Sequence, residues 1–112
     1  VSDFTPATRR LILHRDMDRC AMCGRPQTEP QVHHRQQRSA RGPSTPENGI
    51  TLCLWCHGWV HENIRAAIAS GYIVSSWDDP AGKPLTTWRG LIRLLADGTW
   101  EFADVESVSG SP

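Results

Sequence analysis

Metal-binding side chains are concentrated between positions 20 and 61. Cys20 and Cys23, then Cys53 and Cys56, form two Cys-x2-Cys units with 29 residues between them. His33 and His34 fall in that gap, and His57 and His61 follow the second unit. Two thiolates separated by two residues can bend back onto one ion, and Gly24 permits the backbone turn after the first pair. Four thiolates together make the closed tetrahedral site that Zn2+ adopts when it holds a fold together. Two disulfides or a redox centre suit this spacing less well in a reducing compartment. His33 and His34 are neighbours on an expected strand, so their side chains point to opposite faces. His57 and His61 stand four apart on an expected helix and share one face, the spacing two imidazoles need to hold one ion. One strand histidine and two helix histidines make three ligands with coordination positions left open, as in a metal centre that does chemistry. The remaining histidine, His34 or His33, is then placed to act as a base, because imidazole exchanges protons near neutral pH.

These side chains need elements to hold them. Thr5-Pro6 reads as a helix N-cap and first helical position, and the helix should run to about Asp16. Ala7, Leu11, Ile12 and Arg15 are spaced for its partly apolar face, and His14 reads as a surface or packing residue. Residues 19–26 form a tight knuckle and 27–30 a polar connector. A short strand is expected around Val32 within 31–35, then a loop rich in Arg, Ser, Gly and Pro over 36–47. Gly49 to Leu52 suggests a second strand. From Leu54 the pattern turns helical through Val60, Ile64, Ala67 and Ile68 to Ala69, with Gly71 as the cap. Trp55 and Trp59 are expected to pack around the second knuckle. Tyr72–Val74 reads as a strand and 77–84 as a loop. Thr86–Leu95 and Thr99–Phe102 read as strands around an Asp97-Gly98 hairpin turn. Trp77, Trp88 and Trp100 are expected to form a small core against the central helix.

At 112 residues the chain reads as one domain with a modest core that a structural metal would reinforce. No apolar run approaches the roughly 20 residues of a membrane span, and no charged segment followed by an apolar run opens the chain. A reducing cytoplasm, that of a bacterial host cell, is the expected location. The formal net charge is zero but segregated. Residues 1–65 carry nine Arg against six acids, and residues 66–112 carry three basic residues against six acids. The first part of the chain therefore suits an anionic partner better than the tail does.

The series Cys-x2-Cys, His-His, Asn, Cys-x2-Cys-His, His resembles the HNH endonucleases that carry a four-cysteine zinc knuckle. The resemblance covers about residues 19–62. Its intervals are 14 residues from His34 to Asn48, nine more to His57 and four more to His61. They are similar to those of the histidine-ligand branch that includes the colicin-type DNases. The resemblance implies an α+β fold: a small zinc-stabilised ββα-metal (His-Me finger) unit with an N-terminal helix and a C-terminal hairpin-like tail. Residues 1–112 would be one nuclease domain, with core motif 19–62, an extension over 72–104 and a frayed end over 105–112. It further implies that His33, His57 and His61 ligate a catalytic Mg2+, Mn2+, Ni2+ or Zn2+, while Cys20, Cys23, Cys53 and Cys56 hold a structural Zn2+. His34 would be the general base, and Asn48 would brace the turn that orients it. The expected reaction is hydrolysis of DNA phosphodiesters to 3′-hydroxyl and 5′-phosphate ends, one strand at a time and with weak sequence specificity.

Two features depart from many relatives. Gln31 stands where an acid often precedes the paired histidines. The stretch after them carries Arg35, Arg38 and Arg41, expected as phosphate contacts in DNA binding. The competing reading is a non-catalytic zinc-stabilised nucleic-acid-binding module, towards which Gln31 leans. A further one is an accessory subunit of phage DNA packaging. Its partners would be terminase or other DNA-processing proteins, docked on the C-terminal tail.

Overall fold

The structure, a computed structural model, describes residues 4–37 and 42–103. Helix α1 (Pro6–Arg15) starts as its sequence dictates: Thr5 Oγ1 accepts the Thr8 N–H at 3.1 Å, and Pro6 sits in the first turn. Only Ile12 and Arg15 of this helix are buried; Ala7 and Leu11, expected on its inner face, are exposed, as is His14. The chain leaves α1 through Met17 and Asp18, both at positive φ (58° and 52°), a conformation that costs a side-chain-bearing residue about 1–2 kcal/mol. This reversal feeds the first knuckle, which the Arg19–Pro26 bridge closes.

Strands β1 (Gln31–His34) and β2 (Gly49–Leu52) pair antiparallel, with His33 opposite Ile50 and His34 opposite Gly49. A Cβ at Gly49 would lie 2.4 Å from Ile12 Cδ1, so glycine lets α1 lie close against the strand pair. The single helix expected over Leu54–Ala69 is two helices, α2 (Leu54–Glu62) and α3 (Ile64–Ala69). Asn63 separates them at φ −128°, ψ 62°, and its side chain donates to the Trp59 carbonyl at 2.9 Å. Asparagine thus satisfies the end of α2 and diverts the backbone, a competition with helical bonding that apolar periodicity does not register. Gly71 follows α3 at φ 91°, where a Cβ would lie 2.1 Å from the Pro84 carbonyl oxygen.

The tail differs from its expected form in two ways. Tyr72–Val74 is not a strand; Tyr72 and Val74 are separate buried anchors. The Tyr72 hydroxyl donates to the Thr86 carbonyl, and the Val74 N–H donates to the Arg35 carbonyl at 2.9 Å. The expected strand Thr86–Leu95 is two, β3 (Leu85–Thr87) and β4 (Gly90–Leu94), which with β5 (Trp100–Phe102) make an antiparallel meander. Thr87 Oγ1 accepts the Arg89 N–H and donates to the Gly90 carbonyl, closing a turn that strand propensity alone does not foresee. The Asp97-Gly98 turn forms as expected, with the Leu95 N–H donating to Thr99 O at 2.9 Å. Tyr72, Leu85, Ile92 and Leu94 share one core with Cys20, Ile50, Leu52, Val60 and Ala67.

Trp55 and Trp77 lie elsewhere than expected. Trp77 is 91% exposed and Trp55 82% exposed. Trp88 lies under the guanidinium groups of Arg19 and Arg89, and Arg89 also covers Trp100, 4.6 Å from its ring centre. Both rings thus take cation–π contacts, and Trp100 is also packed, partly buried, against the shared core. The expected frayed end, 105–112, lies outside the described residues. No helix among the described residues is long and apolar enough to cross a membrane.

Two buried arginines fasten the elements together. Arg15 forms a two-pronged pair with Asp16, at 2.8 and 2.9 Å, and donates to the Pro46 and Gly49 carbonyls. Asp16 in turn accepts the Thr51 N–H at 3.0 Å. This joins α1 to β2 and to the short 3-10 turn Pro46–Asn48. Charges out of water need this full set of partners, since an isolated buried ion costs several kcal/mol.

Candidate metal centres and active site

The four cysteine sulfurs lie within 4.8 Å of one another. Ligands at about 2.3 Å from a tetrahedral Zn2+ would be about 3.8 Å apart, so the cluster is close to that size. Cys23 and Cys53 Sγ already stand 4.0 Å apart. Each knuckle turns one N–H onto its first sulfur: Cys23 N–H onto Cys20 Sγ at 3.5 Å, and Cys56 N–H onto Cys53 Sγ at 3.4 Å. Burial pushes the Cys20 and Cys56 thiols up. Burial acts the same way on Cys53, but the Cys56 N–H and neighbouring thiols outweigh it and draw that thiol down. A divalent cation is what would let all four sulfurs be thiolates together.

The second cluster is His33, His57 and His61, whose ring nitrogens come within the same 4.8 Å of one another. His57 and His61 Nε2 are 3.2 Å apart, and the His33 ring centre lies 5.2 and 5.9 Å from theirs. Two neighbours set the tautomers. Gln31 Oε1 stands 2.8 Å from His57 Nδ1, and the Tyr72 carbonyl stands 2.8 Å from His33 Nε2. Both oxygens are acceptors, so these nitrogens carry the protons. The opposite nitrogens, His57 Nε2 and His33 Nδ1, keep lone pairs for an ion. Burial lowers His33 from its ordinary range to about 4, and burial with the nearby His61 lowers His57. Both are therefore neutral, the form that ligates, at pH 7. Gln31, where the resemblance leads one to expect an acid, meets His57 through a neutral hydrogen bond.

The two clusters share one helix start. Cys53 is the N-cap of α2, Cys56 lies in its first turn, and the first helical bond runs from the His57 N–H to the Cys53 carbonyl at 2.9 Å. His61 follows one turn later.

His34 leaves β1 on the opposite face from His33. Its ring stacks on Phe4, with centres 4.1 Å apart and planes 17° from parallel. Phe4, Arg9, Val32 and His34 line a cavity of about 230 Å3 there. Asn48 is fully buried behind this strand. Its Oδ1 accepts the Gln36 N–H at 2.7 Å, and its Nδ2 donates to the Gln36 and Pro43 carbonyls at 2.9 and 2.8 Å. It thereby ties both ends of the loop that follows His34.

Arg35 requires a correction. It is fully buried, and its guanidinium donates to the carbonyls of Gly71, Glu47, Pro80 and Lys83 at 2.8–3.0 Å. Burial and the nearby Arg15 lower it to about 10, so it remains a cation, but it faces backbone rather than solvent. Alternation explains this: Arg35 continues the inward face of His33. Arg38 and Arg41 lie outside the described residues. Among the described residues, Arg9 lines the cavity beside His34; it lies one turn into α1 and is exposed, with Nη2 anchored on the Pro30 carbonyl at 3.0 Å. Sequence offers no signal for this role, because α1 and β1 meet only in the fold.

A strand pair followed by a helix, closing around three convergent imidazoles, is a small α+β unit of the ββα-metal kind. Residues 20–63, the segment that carries both ligand clusters, match the model of the family described as HNH endonuclease. No curated protein and no solved structure gives a match.

Proposed function

We propose that this protein is a metal-dependent HNH endonuclease that hydrolyses DNA phosphodiesters, nicking one strand per event with weak sequence specificity. The observation that carries the reading is the convergence of His33, His57 and His61 inside the segment that matches the HNH model, with Gln31 and the Tyr72 carbonyl holding two rings in ligating tautomers. Their donor set, three imidazoles around open positions, fits a divalent transition metal. When bound, that ion supplies positive charge at the phosphoryl group and at the departing 3′ oxygen.

The chain's own residues do the rest. His34 takes a proton from water as the water oxygen bonds to phosphorus. The P–O3′ bond breaks, leaving a 5′-phosphate, and the 3′ oxygen leaves as a hydroxyl after protonation. Asn48 is a positioning residue, acting on His34 through Gln36. Arg9, beside His34, contacts a phosphate of the scissile strand. Cys20, Cys23, Cys53 and Cys56 hold a structural Zn2+ that sets the start of α2 and so the spacing of His57 and His61. Weak specificity goes with recognition through phosphate contacts, which carry no sequence information.

The test is nicking of supercoiled plasmid by purified protein with Mg2+, Mn2+, Ni2+ or Zn2+ added in turn. Wild type should nick with at least one ion, and His34→Ala should lose activity while still binding metal. Equal activity of the two proteins refutes the role of His34, and no nicking with any ion favours the non-catalytic module.

A further inference from the structure

Helix α2 has a second functional face. Leu54, Trp55, Gly58, Trp59 and Glu62 line an open cleft of about 340 Å3. Leu54 and Trp55 are 73% and 82% exposed, and Trp59 is 37% exposed. Trp59 packs in part beside Met22 and Tyr72, but Trp55 is almost wholly in solvent, so packing does not account for it. Gly58 is equally unexplained. It sits inside a helix, where glycine is about 1 kcal/mol worse than alanine, and no described atom lies within 4 Å of the Cβ it lacks. Neither a tight packing contact nor a positive φ calls for glycine. What remains is that the bare helix backbone at Gly58 lines the cleft beside the two indoles.

At about 100° per residue, Leu54 and Gly58 occupy the stripe of α2 next to His61, with Trp55 and Trp59 beyond them. The cleft therefore borders the imidazole triad on the same helix. Its chemistry selects the occupant. Flat indole faces suit a flat heterocycle, the bare backbone at Gly58 admits one edge-on, and the Glu62 carboxylate accepts from an exocyclic amine while repelling phosphate. We infer that the cleft binds an unstacked nucleobase, so that the substrate is single-stranded or locally melted DNA whose phosphate lies at the triad. This rests on the nuclease reading above for the phosphate, and on the cleft alone for the base.

The experiment uses full-length zinc-loaded protein with no other divalent ion. Fluorescence anisotropy compares a labelled mixed-sequence single strand with an abasic strand of equal length, at one salt concentration. Stacking on exposed aromatics predicts that the base-bearing strand binds roughly 5- to 150-fold more tightly. Trp55→Ala should remove most of that preference and leave abasic binding unchanged. Gly58→Ala should raise the melting temperature yet weaken binding of the base-bearing strand. Equal affinity for both strands overturns the inference, as does a Trp55→Ala loss that falls on both strands alike. So does Gly58→Ala binding as wild type does. A wild-type dimer in sedimentation that Trp55→Ala converts to monomer also overturns it, by showing that a second copy covers the cleft. Plasmid nicking by the same preparation, with Mg2+, Mn2+, Ni2+ or Zn2+ then added in turn, separates the two proposals. Nicking without base preference removes only the cleft assignment, and base preference without nicking removes only the nuclease reading.

Discussion

Asn48→Ala is the most informative single change, because the side chain is fully buried and every polar atom of it is used. Truncation leaves the Gln36 N–H without its 2.7 Å partner and removes donors from the Gln36 and Pro43 carbonyls. An orphaned buried donor costs about 1–3 kcal/mol, and the small cavity adds to it, so a loss of about 2–4 kcal/mol is expected. For a chain of this size that corresponds to a melting temperature lower by roughly 10–20 °C. The triad is held separately, by Gln31 and the Tyr72 carbonyl, so its metal affinity should change little while nicking falls by at least about tenfold through misplacement of His34. Asn48→Asp sharpens the test. A carboxylate keeps the Gln36 N–H but faces two carbonyls with no proton to offer. Its folded pKa is then raised above the unfolded value, so this variant is most stable at low pH and loses stability as pH rises. Thermal unfolding at fixed zinc, Co2+ titration of the imidazole site and plasmid nicking read the three effects. An Asn48→Ala protein with unchanged melting temperature refutes the bracing argument; one that loses triad metal binding refutes the separation of roles.

Arg35→Ala should destabilise strongly, by about 3 kcal/mol or more, since four carbonyls lose their donor, and urea unfolding measures it. Arg9→Ala should leave stability within about 0.5 kcal/mol but weaken DNA binding and reduce its salt slope by about 1, read by anisotropy at several salt concentrations. Cys53→Ser should lower the melting temperature by more than about 10 °C and, in the same titration, remove Co2+ binding at both the thiolate and imidazole sets, because Cys53 caps the helix that carries both. For His33, the folded pKa of about 4 lies below the ordinary 6.5. The unfolded chain takes up the proton first as pH falls. Its contribution is complete above pH 6.5 and is lost on acidification, by about 2 kcal/mol between pH 6.5 and 5. His33→Asn should show a shallower fall over that window in urea midpoints measured without metal at the triad.

Local rules carried much of the fold. Thr5-Pro6, the two Cys-x2-Cys turns, the β1 and β2 segments and the Asp97-Gly98 hairpin follow from backbone geometry and short spacings, and those appear where the residues place them. The ligand sets were legible for the same reason: i,i+4 on a helix and alternation on a strand are fixed by local pitch. The misses share a different cause. The break at Asn63 and the turn after Thr87 come from side chains that compete with backbone bonding. The exposed Trp55 and Trp77 show that apolar character does not say which surface a ring faces.

His33 and His34 illustrate the limit most clearly. Their sequence placed one imidazole on each face of a strand and left open which of them would meet His57 and His61. The pairing of β1 with β2, and the packing of α2 on one side and α1 on the other, decided it. The same alternation carried Arg35 inward to four carbonyls and left Arg9, from a distant helix, beside His34. Chain composition determined which chemistry was available. Only the tertiary structure decided which groups meet, because that choice depends on contacts between residues far apart in the chain.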